Sequence, residues 1–203
     1  MKRFVIAVSG ASGALYTVHL LRALAQNVEG ESQLIVSPSG LRVFNEEMGL
    51  ALGSAHDLLS WIQDSSESND KHTFVVEDYR DIGARAASGS NDHDGMAIVP
   101  CSMKTLASIT HGLTQNLIER AADVTLKERR KLVVVPRETP YSLIHLRNMT
   151  ALTEAGAIVL PASPGFYQKP TDLDDLGRFI AGRVLACLGV SVRLYRPWLA
   201  ADS

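Results

Sequence analysis

The chain has 203 residues, of which 46% are apolar and 21% are charged, and this composition is that of an ordinary globular protein. The formal net charge of −2 gives no reason to expect a nucleic acid or an anionic membrane as a partner. No run approaches the roughly 18 consecutive apolar residues of a membrane span, and two cysteines in no metal-like spacing favour a reducing, cytoplasmic location.

Short apolar runs rich in Val and Ile predict β-strands that are buried on both faces, as in a parallel sheet. These runs are FVIAV (4–8), QLIVS (33–37), TFVVE (73–77), MAIVP (96–100), KLVVVP (131–136) and AIVLP (157–161). The helical patterns between them cover 14–26, 104–128, 141–155 and 172–188. Asp172 is the predicted cap of the last helix, and Gly156 and Gly189 are expected at helix ends.

Strand–helix alternation along the whole length predicts an α/β fold, with right-handed crossovers between the strands. We expect an open, mostly parallel, six-stranded Rossmann/flavodoxin-like sheet with helices on both faces. The polar, turn-rich region 64–94 is predicted to consist mainly of loops. Residues 1–203 show no linker, so a single domain is expected.

Polar residues follow the predicted strands, and in open α/β sheets ligands bind beyond the carboxyl ends of the strands. The residues in question are Ser9, Ser37, Ser102, Arg137, Glu138 and Ser163. Any single serine is explained as well by its tendency to end strands and cap helices. For the whole set at one edge of the sheet, a ligand site is the favoured interpretation.

Two short turns open helices at this edge. GASG (10–13) is neither a G-x-G-x-x-G pattern nor a P-loop, but it leads into a helix N-terminus, where free N–H groups favour a phosphate. A tight turn without a ligand is an equally good explanation of GASG alone. VPCSMKT (99–105) offers Ser102 and Thr105 at a second helix start. Two such ends at one edge suit a mononucleotide such as FMN.

A basic group follows in NLIERAADVTLKERRK (116–131). Arg120 lies in an otherwise apolar stretch and is predicted to be a buried anion contact. The basic residues at 129–131 are expected to face solvent at a helix C-terminus. The pattern leaves the role of Lys127 open.

Several further side chains have two explanations each. Arg137 and Glu138 could form a surface ion pair worth under ~1 kcal/mol, or one could hold an anion while the other moves a proton. From spacing alone, Glu46 and Glu47 are expected on a solvated helix face. Cys101 is expected to be a buried structural cysteine rather than a catalytic thiol. The six histidines have no metal-ligand spacing, and no metal is assigned.

Taken together, these residues resemble the UbiX/Pad-type flavin prenyltransferases, within the flavoprotein group that includes the phosphopantothenoylcysteine decarboxylases. The resemblance covers essentially the whole chain. It is carried by SGASGALY (9–16), VSPSG (36–40), ASGS (87–90), PCSMKTLASI (100–109), NLIERAADVTLKERRKLVVVPRETP (116–140), LPASPGFY (160–167) and Trp198. The most specific of these motifs is the ERAADVTLKERR block with the following VPRE.

The resemblance implies an enzyme that joins a dimethylallyl group from dimethylallyl monophosphate to reduced FMN, first at N5 and then at C6 of the flavin. The product, prenylated FMN, would be the cofactor of a UbiD-type decarboxylase, as in ubiquinone biosynthesis. It also implies metal-independent homo-dodecamers built of trimers, with FMN at subunit interfaces. The C-terminal tail, about 190–203, is therefore expected at such an interface.

The resemblance also assigns roles to individual residues. The implied FMN contacts are Gly10, Ala11, Ser12, Ser37, Ser102, Met103, Lys104, Thr105 and Arg137. The implied contacts of the prenyl phosphate are Ser88, Gly89, Arg120, Lys127, Tyr167 and Arg183. The residues linked to the chemistry are Ser12, Glu47, Glu138, Trp198 and Lys127.

Two other functions stay open. An FMN-dependent aromatic-acid or cysteine-type decarboxylase would have the same fold, but a cysteine decarboxylase would be expected to place a histidine base at a strand end, and none follows a strand here. A non-catalytic flavin carrier would bind FMN and would leave Glu138 and the phosphate contacts without a role.

Overall fold

The structure is a computed structural model that describes residues 1–64 and 71–196. Its six strands are β1 (Lys2–Val8), β2 (Gly30–Val36), β3 (His72–Val76), β4 (Gly95–Cys101), β5 (Lys131–Pro136) and β6 (Ile158–Val159). The helices in these ranges are α1 (Ala14–Asn27), α2 (Pro38–Met48), α3 (Ala55–Asp64), α4 (Met103–Thr110), α5 (Leu117–Lys127), α6 (Leu143–Glu154) and α7 (Leu173–Leu188). Over these two ranges, no helix is both long enough and apolar enough to cross a bilayer.

The six strands form one sheet in the order β3-β2-β1-β4-β5-β6, and all of its pairings are parallel. Phe4 of β1 lies opposite Ser32 on one side and Gly95 on the other, which fixes the register at the centre of the sheet. After β3 the chain crosses back to the other side of β1. Strand order therefore reverses between β1 and β4, and this switch point is where open α/β sheets bind ligands. The predicted fold class is confirmed.

The central strand β1 is buried on both faces, which explains its continuous apolar sequence. Phe4, Ile6 and Val8 pack with α1, α2, α3 and α7 on one face of the sheet. Val5 and Ala7 pack with α4, α5 and α6 on the other. All five are at most 2% exposed, and each large apolar side chain that is fully buried contributes about 1.5–3 kcal/mol. Helices cover both faces of the sheet, as predicted.

The single helical stretch predicted over 104–128 is wrong. α4 ends at Thr110, and Gly112 then adopts a left-handed φ of 68°, which glycine tolerates without steric cost. Asn116 begins the next helix, because its side chain accepts a hydrogen bond from the backbone N–H of Glu119. Two local signals, a glycine and an N-cap, thus interrupt a periodic apolar pattern and produce α4 and α5.

The predicted helix ends are confirmed elsewhere. Asp172 caps α7 by accepting a 2.8 Å hydrogen bond from the backbone N–H of Asp175. Gly156 and Gly189 follow helices α6 and α7 with φ values of 105° and 84°.

Helix α3 was not predicted, although its start carries a local signal. The hydroxyl of Ser54 accepts a hydrogen bond from the backbone N–H of Asp57, and the carboxylate of Asp57 accepts one from the backbone N–H of Gly53. This reciprocal pair is a typical helix N-terminus. A Ser followed three residues later by Asp is therefore the sequence signal from which α3 could have been predicted.

Candidate active site

A cavity of about 320 Å³ lies at the switch point, over the carboxyl ends of β1 and β4. It brings together eight of the residues that the sequence resemblance singled out. They are Gly10, Ala11, Ser12, Glu47, Ser102, Met103, Arg137 and Glu138. Val43 and Glu46 also line it, and neither was given a role from the sequence.

The floor of the cavity is the turn between β1 and α1, and it is built so that the backbone is exposed. A Cβ atom on Gly10 would lie 2.6 Å from the hydroxyl oxygen of Ser39. A Cβ atom on Gly13, whose φ is +133°, would lie 2.6 Å from the ring of Tyr16. Both positions therefore require glycine, and the resulting turn leaves room for a ligand beside the backbone.

The N-terminus of α1 is occupied by a carboxylate. Glu47 accepts hydrogen bonds from the backbone N–H groups of Gly13, at 3.0 Å, and Ala14, at 2.8 Å. Partial burial opposes its ionisation, but hydrogen bonds from Ser12, Ala14 and Gly13, together with nearby Arg137, outweigh this and lower its pKa. Glu47 is exposed, as its helix spacing led us to expect, but its carboxylate is held by the α1 turn. These two N–H groups are therefore not free for a phosphate.

The starts of α2 and α4 are capped by hydroxyl groups. Ser37 accepts a 2.9 Å hydrogen bond from the backbone N–H of Gly40. Ser102 accepts one from the backbone N–H of Thr105, and the two hydroxyl oxygens lie 3.0 Å apart. Ser37 does not line the switch-point cavity; it lines a neighbouring cavity of about 500 Å³ at the ends of β2 and β3.

The predicted contact Lys104 points its ammonium group elsewhere. Its Nζ lies 2.6 Å from Oε1 of Glu119, and Lys104 is not among the residues that line the cavity. Glu119 is 0% exposed, and its other oxygen accepts a hydrogen bond from the backbone N–H of Gln115. Burial opposes ionisation of Glu119, but Lys104 and Gln115 outweigh it and lower the pKa of the carboxyl.

The expectation for the neighbouring Arg120 is wrong. Arg120 was predicted to be the buried charge of this stretch, yet its side chain is 39% exposed and pairs with Asp123 at 3.0 Å. The fully buried charge is Glu119 instead. Because Asn116 begins α5, the helix turns Glu119 toward α4 and Arg120 toward the surface.

Three of the expected phosphate contacts, Ser88, Gly89 and Lys127, lie together at the end of the sheet opposite the cavity. A Cβ atom on Gly89 would lie 3.3 Å from Nζ of Lys127, which pairs with Glu128 at 2.9 Å. Ser88 precedes Gly89 in the same loop. Lys127 ends α5 four residues before β5 begins. This group therefore lies near the amino-terminal ends of the strands, whereas the switch-point cavity lies at their carboxyl ends.

The other two expected contacts, Tyr167 and Arg183, lie on the α7 side of the molecule. Arg183 donates a hydrogen bond to the hydroxyl of Tyr195, which raises the pKa of Arg183. The ring of Phe179 lies 4.6 Å from that of Tyr195 and 6.0 Å from that of Tyr167. Since α7 and α5 pack on opposite faces of the sheet, one chain alone does not gather the expected phosphate contacts.

The remaining expectations have mixed outcomes. Glu138 faces the cavity, and its carboxylate accepts a 3.0 Å hydrogen bond from the backbone N–H of Thr139. Cys101 is fully buried, and burial raises its pKa to about 12, as is typical of a structural cysteine.

Trp198 lies outside the described residues. Within residues 1–64 and 71–196, no three His, Cys, Asp or Glu side chains form a group that could hold a metal ion.

Comparison with known proteins gives a consistent picture. The Flavoprotein family model matches residues 1–185. The flavin prenyltransferase UbiX of Deinococcus radiodurans is 45% identical over 196 residues, which are 97% of this chain and 93% of that protein. The crystal structure of AnUbiX in complex with FMN and dimethylallyl pyrophosphate has a TM-score of 0.84 and 38% identity, and the match covers 99% of both chains.

Two further structures complete the comparison. A dodecameric FMN-dependent UbiX-like decarboxylase from Escherichia coli O157:H7 has a TM-score of 0.84 and 37% identity over 98% of this chain and all of its own. The FMN-dependent cysteine decarboxylase TvaF has a TM-score of 0.57, with 14% identity over 79% of this chain and 90% of that one, and shares only the fold. The family model and the near full-length identity lead to one conclusion: the chain belongs to the flavin prenyltransferases of the Flavoprotein family.

Proposed function

We propose that this protein transfers a dimethylallyl group from dimethylallyl monophosphate to N5 of reduced FMN, with ring closure at C6. The observation that carries the proposal is the switch-point cavity. It places an open glycine turn, Arg137 and the carboxylates of Glu47 and Glu138 around one space. A relative of the same fold was crystallised with FMN and dimethylallyl pyrophosphate.

The chain offers three kinds of group to FMN. The backbone of Gly10, Ala11 and Ser12 lines the cavity without bulky side chains. Hydroxyl groups at the starts of α2 and α4 can donate hydrogen bonds to a phosphate, as can the remaining N–H groups of these helix ends. Arg137 supplies a guanidinium for a carbonyl or phosphate oxygen.

Bound reduced FMN supplies the nucleophile, while the residues of this chain orient it and move protons. Attack on the allylic carbon breaks its bond to the phosphate oxygen, and the electron pair leaves with the phosphate. Flavin N5 gives up its proton, and closure of the ring would take up a proton at the alkene and release the one on C6, for a net gain of C5H8. Among the described residues, Glu138 is the cavity carboxylate whose one hydrogen bond comes from the backbone of its neighbour Thr139, so it is placed to exchange a proton. Glu47 is held by two backbone N–H groups and keeps the Ser12 hydroxyl oriented.

The charge of the cavity requires help from outside one chain. In the part of the chain that the structure describes, its ionisable side chains are the three carboxylates of Glu46, Glu47 and Glu138 and the guanidinium of Arg137. A departing phosphate needs several cations to stabilise its charge. We propose that neighbouring copies of the chain bring Arg120, Lys127 and Arg183, with Tyr167 and Trp198 of the C-terminal region, to complete each site. The E. coli O157:H7 relative is dodecameric, which supports assembly of copies.

The wider role proposed here rests on the family resemblance. The product would be consumed by a UbiD-type decarboxylase, in ubiquinone biosynthesis in the cytoplasm. The free cysteines Cys101 and Cys187 suit that reducing location. A cysteine decarboxylase is less well supported, because no histidine of the described residues lines the cavity and the likeness to TvaF is confined to the fold.

The proposal is tested by the mass of the flavin. Purified protein is incubated anaerobically with reduced FMN and dimethylallyl monophosphate or dimethylallyl pyrophosphate, and the extracted flavin is weighed by mass spectrometry. We expect a gain of one C5H8 unit, faster with the monophosphate. Controls omit the donor or use oxidised FMN. A flavin of unchanged mass, bound to protein that holds FMN tightly, would instead favour a flavin carrier.

A further inference from the structure

The switch-point cavity is polar except for a small apolar surface. Among the residues of 1–64 and 71–196 that line it, only Ala11, Val43 and Met103 are apolar and carry a side chain. Val43 comes from α2, on one face of the sheet, and Met103 is the first residue of α4, on the other. Met103 is 7% exposed and belongs to the core, so it presents a fixed surface. Val43 is the apolar side chain that α2 contributes to this site.

The position of Val43 is determined by the helix that carries it. Residues three and four apart lie on one face of a helix, so Val43 lies beside Glu46 and Glu47, and all three line the cavity. The hydrogen bonds from the α1 turn hold Glu47, and Phe44 is 1% exposed on the core side of α2, 5.9 Å from the ring of Trp61. α2 is therefore held on both sides and cannot roll to carry Val43 away.

We propose that Val43, together with Met103, determines the chain length of the prenyl donor. This inference rests on the proposed function. The donor has a charged phosphate at one end and an apolar tail at the other, and the tail gains free energy only against apolar surface. The carboxylates and Arg137 offer none. A cavity of about 320 Å³ shared with part of a flavin accommodates a short tail, and a branched side chain at 43 closes it to longer ones.

Val43 forms no bond during the reaction. The allylic carbon loses its bond to the phosphate oxygen, whose electron pair leaves with the phosphate, and gains a bond to flavin N5, which gives up its proton. The side chain acts by filling the space next to the tail and by keeping water away from that carbon. It is therefore a specificity-determining residue, and its effect should appear in donor preference and not in FMN affinity.

The test compares dimethylallyl monophosphate with geranyl monophosphate, a donor with a tail twice as long. For Val43→Ala, we expect the ratio of kcat/KM for geranyl to dimethylallyl donor to rise at least about tenfold, since a few carbon atoms in a pocket are worth that much discrimination. Val43→Leu should lower kcat/KM with the dimethylallyl donor and leave the Kd for FMN unchanged. Val75→Ala, the same substitution on the exposed face of β3, is the matched control.

The outcomes separate this inference from the proposed function. If the wild-type protein adds a C5 unit to FMN but Val43→Ala keeps the wild-type donor ratio, the inference is overturned and the function stands. Weaker FMN binding by both Val43 variants, with an unchanged donor ratio, would assign Val43 to the flavin and also overturn it. A wild-type protein that prenylates no flavin at all would overturn both.

Discussion

The carboxylate of Glu47 on α2 accepts a 2.8 Å hydrogen bond from the backbone N–H of Ala14, the first residue of α1. The same carboxylate accepts a hydrogen bond from Gly13 and lines the switch-point cavity. A helix end that would otherwise offer N–H groups to a ligand is therefore capped by another element of the same chain. These hydrogen bonds connect helix α2 to the turn between β1 and α1, on two sides of the cavity.

The contact predicts a pH-dependent contribution of Glu47 to stability. Its pKa is lower in the folded protein than the value of about 4.3 expected in the unfolded chain. Its stabilisation is therefore complete above that value and is lost as the pH falls through the lower folded-state pKa. We expect Glu47→Gln to lower the free energy of unfolding by about 1 kcal/mol at pH 7. Urea unfolding at several pH values measures this difference in the free energy of unfolding, which should narrow as the pH falls below about 4.3.

Glu46→Gln is the control for this prediction. Glu46 pairs with Arg42 on the exposed surface of α2, and exposed pairs contribute under about 1 kcal/mol. Equal effects of the two variants, or a Glu47→Gln effect that does not change with pH, would refute the capping role of Glu47.

The glycine turn predicts a difference between two substitutions. Gly13→Ala places a Cβ against Tyr16 at a φ of +133°, whereas Gly49→Ala, at a φ of +66°, meets open space. Both changes strain the backbone, but only the first also creates a clash. We expect Gly13→Ala to cost at least ~1 kcal/mol more than Gly49→Ala in urea unfolding. Similar costs for the two variants would mean that the turn adapts to a side chain.

The Lys104–Glu119 pair predicts that Lys104 does not contact the phosphate of FMN. Because the ammonium of Lys104 is held by Glu119, we expect Lys104→Gln to change the Kd of FMN and that of riboflavin, which lacks the phosphate, by the same factor. Fluorescence titration measures both constants. A loss of affinity confined to FMN would show that Lys104 contacts the phosphate, as the family resemblance implied.

Removal of this lysine should also affect stability. Glu119 is fully buried, so Lys104→Gln leaves a buried carboxylate without its cation, and we expect a loss of about 2–3 kcal/mol in the free energy of unfolding. This loss is smaller than the loss of about 3–5 kcal/mol that is usual for a broken buried pair, because Lys104 is 63% exposed and interacts partly through water. The double variant Lys104→Gln, Glu119→Gln should recover part of this loss. No recovery would mean that the two side chains are not coupled.

The proposed assembly predicts complementation between variants. Glu138→Gln and Arg183→Ala should each reduce prenylation at least about tenfold. Oligomers formed from both variants should regain activity, because some sites then receive Glu138 from one copy and Arg183 from another. Mixing Glu138→Gln with Arg137→Ala is the matched control and should restore nothing, since both residues line the cavity of one chain. Failure of the first mixture to regain activity would contradict shared sites.

Most of the fold could be predicted from the sequence because its signals are local. Most of the runs that form the strands are apolar along their length, as strands covered on both faces must be. The edge strand β3 differs, because Thr73 and Val75 are exposed. The errors occurred where one residue overrides a pattern. Gly112 and Asn116 divide the helical stretch 104–128, and the Ser54–Asp57 pair starts the short amphipathic helix α3.

The site was less predictable because its contacts join distant residues. The sequence indicated that Ser12, Arg137 and Glu138 lie at one edge, and the cavity brings them together. It did not indicate that Glu47 would reach a turn 33 residues away. The exchange of buried and exposed roles between Glu119 and Arg120 depends on where α5 begins, which hydrophobic periodicity alone does not fix.

The central claim is that the phosphate of the donor leaves as its prenyl group becomes attached to the flavin. The most direct measurement is a single turnover with one equivalent of reduced FMN per site, in which released inorganic phosphate and modified flavin are both quantified. We predict one phosphate for each flavin that gains a C5H8 unit. Phosphate release accompanied by dimethylallyl alcohol and unmodified flavin would contradict this account, because it would make the protein a phosphatase.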